Sequence, residues 1–225
     1  MAGYSLKEIQ PKSKQPLVSS RRWRSPLRTA AKRAMDITGS LVFMLLLSPL
    51  MAILAVLIKA TSRGPVFYHW HVVGKDGHPF VGYKFRSMVA NADELKQALA
   101  NQNEMSGPVF KLARDPRVTS LGAWMRRYSL DELPQFFSVL KGDMSLVGPR
   151  PPLVGEYAQF TEYQKQKLTV KPGITCLWQV SGRNQVVDFD EWVALDLEYI
   201  RNWSLMLDLK ILLRTVREIF VGSGR

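Results

Sequence analysis

Eighteen consecutive residues, Leu41–Ile58, carry no charge. As a helix this run is about 27 Å long, close to one bilayer hydrocarbon core. Ser48-Pro49 stands in its middle. Proline removes one backbone donor and crowds the carbonyl four residues back, so it bends a helix. The neighbouring serine can bond a carbonyl left open by the bend. The arms Leu41–Leu47 and Leu50–Ile58 are each roughly 10–14 Å long, half a bilayer. Two forms fit: a kinked spanning helix, and a re-entrant hairpin that enters one leaflet and returns. A cleaved signal sequence fits poorly, because the run begins late and Lys59 and Arg63 follow it in place of a small-residue cleavage site.

Charge narrows the choice of partner. The 225 residues carry a net +12. Residues 1–58 hold nine of the 31 basic residues and two of the 19 acids, so +7 lies in and just before the apolar run. A basic block leading into an apolar block suits anionic membrane lipids and argues against nucleic acid, whose binders interleave basic residues with a folded reading surface. The single cysteine, Cys176, excludes an intramolecular disulfide and a cysteine zinc site. The chain divides into a basic tail (1–33), a membrane helix (34–60) and a folded domain (61–225).

The folded part reads as α+β. Val66–Val73 and Phe80–Phe85, joined by Asp76-Gly77, form a β-hairpin. Helices are expected over 90–100, 121–127, 129–140, 155–168, 189–201 and 205–220. The last has apolar residues at 205, 209, 212, 213, 216, 219 and 220 beside Lys210, Arg214 and Arg217. That stripe fits a membrane-interface helix and core packing equally.

The densest chemistry runs from Arg126 to Pro151. Asp131 and Glu132 are adjacent carboxylates at a helix start, where free N–H groups favour anions. Such a carboxylate can bind a divalent cation or attack phosphorus. Ser129-x-x-Glu132 is also a capping-box pattern, in which the glutamate only satisfies a backbone donor. Pro134 conflicts with a helix that starts cleanly at 130. Arg150, set between prolines, either grips a phosphate or is a surface arginine in a connector. Lys84 and Arg86 share a strand face and suit a diphosphate clamp, or simply face solvent. Ser181-Gly182-Arg183 offers N–H groups and a guanidinium to an oxyanion. His69 and His71 share a face, but two histidines are not a metal site.

These residues resemble the bacterial sugar transferase family, the monotopic phosphoglycosyl transferases. The matching stretches are LVFMLLLSPLMAILAVLIK, GPVFY, KFRSM, DPRVT, RRYSLDELPQFFSVLKGDMSLVGPRP, KPGITCLWQVSGRN and EYIRNWSLMLDLKILLRT, in order over residues 32–215. In KFRSM, Ser87 stands where many relatives have threonine and keeps the hydroxyl. The resemblance implies a short, exopolysaccharide-initiating enzyme on the cytoplasmic face of the bacterial inner membrane. It implies transfer of hexose-1-phosphate, galactose or glucose first, from a UDP-hexose to undecaprenyl phosphate with release of UMP. By the same likeness Asp131 is the nucleophile of a covalent phospho-Asp intermediate. Glu132 binds Mg²⁺ with it or assists the lipid phosphate. Lys84, Arg86, Arg126, Arg150 and Arg183 hold substrate phosphates. The likeness also implies a re-entrant helix broken at Ser48 and Pro49, and leaves a homo-oligomer open. A non-catalytic, basic membrane-surface protein is the alternative; it leaves the carboxylates and arginine loops without a task.

Overall fold

The computed structural model describes Trp23, residues 25–182, residues 186–222 and Gly224. Its first helix, α1 (Pro26–Thr61), keeps helical backbone through Ser48-Pro49, so Pro49 lies inside the helix and does not end it. The reason is local. Pro49 cannot donate to the Leu45 carbonyl, and the Ser48 hydroxyl donates to it instead at 2.9 Å. The helix also begins earlier than expected, with Pro26 in its first turn, so Pro26–Arg33 belong to it and not to a separate tail.

One stripe of α1 packs on the folded body. Lys32, Asp36, Ser40, Leu54 and Ile58 are buried, and Phe43, Leu47, Leu50 and Met51 continue the same face half-buried. Leu41, Val42, Leu45, Leu46, Ile53, Val56 and Leu57 are exposed on the other side. Of the most apolar eighteen residues only 11% are buried, so this is no core helix. α1 is long and apolar enough to cross a membrane.

Both ends of α1 are tied to the same body. Near its start, Lys32 Nζ donates to Asp208 Oδ2 (2.7 Å) and the Val147 carbonyl (3.1 Å). Asp36 accepts from the Ser145 hydroxyl and the Leu146 amide. Tyr199 and Trp203 also donate to Asp208, so this fully buried carboxylate is satisfied from several sides. Near its end, Leu54 and Ile58 form a small core with Phe85 and Met125.

The hairpin forms as expected: β1 (Phe67–Val73) pairs antiparallel with β2 (Pro79–Phe85). Asp76 and Gly77 both take positive φ, which a tight turn of this hand requires. Then follow α2 (Ala92–Ala98), α3 (Ser120–Arg127) and α4 (Gln135–Lys141). A second ladder was not anticipated: β3 (Ser145–Val147) pairs in parallel with β4 (Gly173–Thr175). Between them the expected helix 155–168 splits into α5 (Val154–Tyr157) and α6 (Glu162–Lys165). Phe160 enters the main core at the split, and Thr161 starts α6 anew with a capping box to Gln164.

α7 (Phe189–Asn202) supplies much of that core through Trp192, Tyr199 and Ile200. In α8 (Leu205–Val221) the apolar stripe divides. Ile211 is buried and Leu205 and Leu212 pack inward, while Met206, Leu209, Leu213, Val216 and Phe220 form an exposed row.

Candidate active site

The site is built at the junction of α3 and α4. Thr119 caps α3, its hydroxyl oxygen accepting from the Gly122 amide at 3.0 Å. After Arg127 the chain reverses at Ser129, which sits in the left-handed region at φ 54°. A single 3₁₀ turn, Leu130–Glu132, follows, and Pro134 caps α4. Pro134 therefore stands outside the α-helical ladder, and the two carboxylates precede α4 instead of opening it. Leu130 and Leu133 pack against the small core under α1. Asp131 and Glu132, 8% and 9% exposed, line a cleft of about 200 Å³. The Ser129 side chain makes no capping bond to this turn, so the capping-box reading of Ser129-x-x-Glu132 is not what forms.

Glu132 Oε1 accepts from Lys84 Nζ at 2.9 Å, and Arg150 Nη1 lies 4.0 Å from the same oxygen. Lys84 projects from β2 with its ammonium 4.2 Å from the centre of the Trp70 ring. Burial pulls the Lys84 ammonium below the ordinary lysine value, while Glu132 works against that. Arg126 also lines the cleft, and its Nε donates to the Ser87 hydroxyl at 2.9 Å. The hydroxyl retained in KFRSM thus orients a cleft arginine.

Arg150 is placed by the backbone around it. Gly148 donates to the Thr175 carbonyl and Gly173 to the Pro149 carbonyl, both at 3.0 Å. Val73 of β1 donates to the Pro152 carbonyl at 3.0 Å. The proline-rich loop is therefore gripped on both sides of Arg150. Gly148 and Gly173 approach so closely that a Cβ on either would overlap the other segment's backbone.

Arg86 is not brought to this cleft. β2 ends at Phe85, and the Arg86 guanidinium turns to the end of α1. There it donates to the carbonyls of Ser62 and Arg63 and to the Ser62 hydroxyl, each at 2.8 Å. These groups lie just past the last residue of α1, so Arg86 ties down the chain where the helix ends. The Arg86 amide still donates to the Val66 carbonyl at 2.9 Å, continuing the ladder, so Lys84 and Arg86 part through their side chains: Lys84 goes to Glu132 and Arg86 to Ser62 and Arg63. Arg183 lies outside the described residues.

Several cleft residues carried no role in the sequence reading. Arg117 clasps Asp115 with two bonds of 2.6 and 2.9 Å, and both line the cleft. Burial pushes the Asp115 carboxyl up, but the Arg117 bonds outweigh it and hold the carboxyl below its ordinary value. DPRVT was the signal available for this pair. Trp178 and Trp192 add a stacked aromatic wall, ring centres 4.0 Å apart. Behind it Lys167 and Asp196 form a buried ion pair at 2.6 Å.

Among the described residues no group of three or more His, Cys, Asp or Glu is placed to hold a metal ion. Mg²⁺ takes few ligands from protein, one or two carboxylates with substrate phosphates and water completing its shell. Asp131 and Glu132 fit that donor set.

A family model described as bacterial sugar transferase matches residues 27–222. The chain is 49% identical over 194 residues to galactosyl transferase CpsE of Streptococcus agalactiae, covering 86% of this chain and 43% of that protein. It is 45% identical over 197 residues to the undecaprenyl-phosphate galactose phosphotransferase of Salmonella typhimurium, covering 86% and 41%. It is 39% identical over 203 residues to exopolysaccharide production protein ExoY of Rhizobium meliloti, covering 88% and 89%. The chain thus spans less than half of the first two relatives and most of the third.

Proposed function

The chain belongs to the bacterial sugar transferase family, and from that membership and the cleft we propose that it moves hexose-1-phosphate from a UDP-hexose to undecaprenyl phosphate, releasing UMP. The observation that carries this reading is the placement of Asp131 and Glu132, both about nine-tenths buried, in one cleft with Lys84, Arg126 and Arg150. The cations bind the donor's diphosphate and orient the sugar-bearing phosphorus. An Asp131 oxygen attacks that phosphorus; the new O–P bond forms as the bond to UMP breaks, leaving an acyl phosphate. The phosphate oxygen of the lipid then attacks the same phosphorus and Asp131 leaves as carboxylate. Glu132, held by Lys84, stays beside Asp131 and faces the incoming lipid phosphate. Asp131 and Glu132 are the residues that would hold Mg²⁺, and the ion would supply charge neutralisation to the diphosphate and the UMP leaving group.

The membrane arrangement belongs to the same proposal. α1 seats in one leaflet as a re-entrant helix with its exposed apolar face toward lipid, and the exposed row of α8 rests at the interface. UDP-sugars are cytoplasmic, so the cleft opens to that side of the inner membrane. The support is that both ends of α1 pack on one folded body. A non-catalytic membrane-surface protein would have no use for paired carboxylates ringed by half-buried cations.

The test is UMP release by the purified protein in detergent with Mg²⁺, undecaprenyl phosphate and a panel beginning with UDP-galactose and UDP-glucose. Without the lipid, sugar-labelled donor should label the protein. Hydroxylamine should remove the label, and Asp131→Asn should prevent it. UMP appearing only when both substrates are present, with no labelled protein, would replace the covalent route by direct transfer. No UMP from any UDP-sugar would overturn the activity itself.

A further inference from the structure

Between the 3₁₀ turn Ala100–Gln102 and α3 the chain has no regular structure, yet one side chain orders its first part. Asn103 Nδ2 donates to the carbonyls of Met105 (3.0 Å) and Val109 (2.9 Å). Asn103 Oδ1 accepts from the amides of Met105 (3.3 Å) and Lys111 (2.8 Å). The Lys111 carbonyl in turn accepts from the Glu104 amide at 2.9 Å. Glu104 Oε1 accepts from the Ala113 amide at 2.9 Å. The loop is therefore closed on itself through Asn103, and Lys111 is fixed at both its amide and its carbonyl.

The far limb of this loop, Val109–Leu112, lines the cleft that holds the two carboxylates. Lys111 Nζ lies 5.5 Å from the centre of the Trp178 ring in that wall. Among the described lining residues five are basic (Lys84, Lys111, Arg117, Arg126, Arg150) and three acidic (Asp115, Asp131, Glu132). The excess of two positive charges is opposite in sign to the charge on the diphosphate of a nucleotide sugar and about equal to it in size, and without Lys111 it would be one. A lysine on a loose loop gives up backbone and side-chain freedom when it grips an anion; holding its backbone beforehand removes part of that cost.

We propose that Asn103 is a positioning residue whose task is to present Lys111 to the diphosphate of the nucleotide-sugar donor. The inference rests on the reading of the cleft as a donor site. It assigns to an uncharged residue outside the cleft lining a role in donor affinity and none in lipid binding.

The test is a double-mutant cycle on the full-length protein, with Asn103→Ala, Lys111→Gln and the pair together, read by steady-state kinetics and by direct titration with UDP. Lys111→Gln should raise the KM for the UDP-hexose on the order of tenfold, as for loss of one charge-assisted contact. The KM for undecaprenyl phosphate should stay within about twofold, since the contact is with the donor. Asn103→Ala should do the same, and the double variant should be no worse than Lys111→Gln alone. Asn103→Asp keeps the oxygen that accepts from the Lys111 amide, so it completes a second cycle with Lys111→Gln if Asn103→Ala does not fold; the same non-additivity is expected. Independent, multiplying effects would overturn the positioning role, and unchanged donor KM and UDP affinity in Lys111→Gln would overturn the contact. If the wild type bound UDP through Lys111 but released no UMP from any UDP-sugar, the cleft's activity would fall while this contact stood.

Discussion

Lys84 Nζ lies 2.9 Å from Glu132 Oε1, and so joins the hairpin to the second carboxylate of the dyad. The pair is nearly enclosed, with side-chain exposures of 13% and 11%, so its Coulomb attraction is weakly screened. The same enclosure works against the charge on Lys84.

A pH prediction follows from that enclosure. Burial, and secondarily the charge of Arg150, pull the Lys84 ammonium below its ordinary value of 10.5, with Glu132 and Asp131 opposing. Activity that needs Lys84 charged should fall on an alkaline limb below pH 10.5. Lys84→Arg, which stays charged, should move that limb upward even if kcat drops. The stability term has the opposite sign. A base whose folded pKa is lowered contributes more stability as pH rises, so thermal melts should not lose stability through this group along the limb. An unchanged limb in Lys84→Arg would detach it from Lys84.

Arg150 and the glycine beneath it should separate chemistry from scaffold. Arg150→Lys keeps the charge but loses the fork, so activity should drop at least about tenfold with the thermal midpoint moved by only a few degrees. Gly173→Ala places a Cβ against the Gly148 amide, so the loop must shift. Activity and thermal midpoint should then fall together. Full activity in Arg150→Lys would make that residue a mere connector.

Arg86 is the clearest case where strand logic misled. Arg86 is 6% exposed; its guanidinium holds the carbonyls of Ser62 and Arg63 just past α1, and the residue is not among those lining the cleft. Arg86→Gln should lose about 3 kcal/mol, the scale of one or two charge-assisted bonds. For a chain of this size that is a fall of roughly 6–12 °C in thermal midpoint. UMP release below the transition should stay within a few-fold. A large activity loss at unchanged midpoint would restore a phosphate role.

Local signals carried the hairpin, because Asp76-Gly77 fixes a turn that strand alternation brackets on both sides. They carried α7 and α8 too, where periodic apolar residues run for several turns. Pro134 told correctly that the dyad does not open a regular helix. What was illegible depended on distant contacts. β3 and β4 are three residues each and exist only because Gly148 and Gly173 let two remote segments meet. The continuity of α1 turned on one hydroxyl reaching the Leu45 carbonyl. Lys111 and Arg117 carried no role in the sequence reading, and it is Asn103 and Asp115 that hold them at the cleft.

The membrane geometry gives the last prediction. If α1 spanned a bilayer of about 30 Å, residues before Leu41 and after Ile58 would lie on opposite faces. Yet Lys32 bonds Asp208, and the carbonyls at the far end of α1 bond Arg86, in one folded body. Both ends should therefore lie on one side. Ala30 and Asp76 are exposed and suit single-cysteine labelling. The native Cys176 need not be removed: it is buried, and burial first, then Asp196, push its thiol up to about 12. In intact spheroplasts neither Ala30→Cys nor Asp76→Cys should react with an impermeant maleimide; both should react once the cells are opened. Wild type should stay unlabelled in both states. Labelling of Asp76→Cys alone in intact spheroplasts would mean that α1 spans the membrane and that its two ends cannot both rest on the same body.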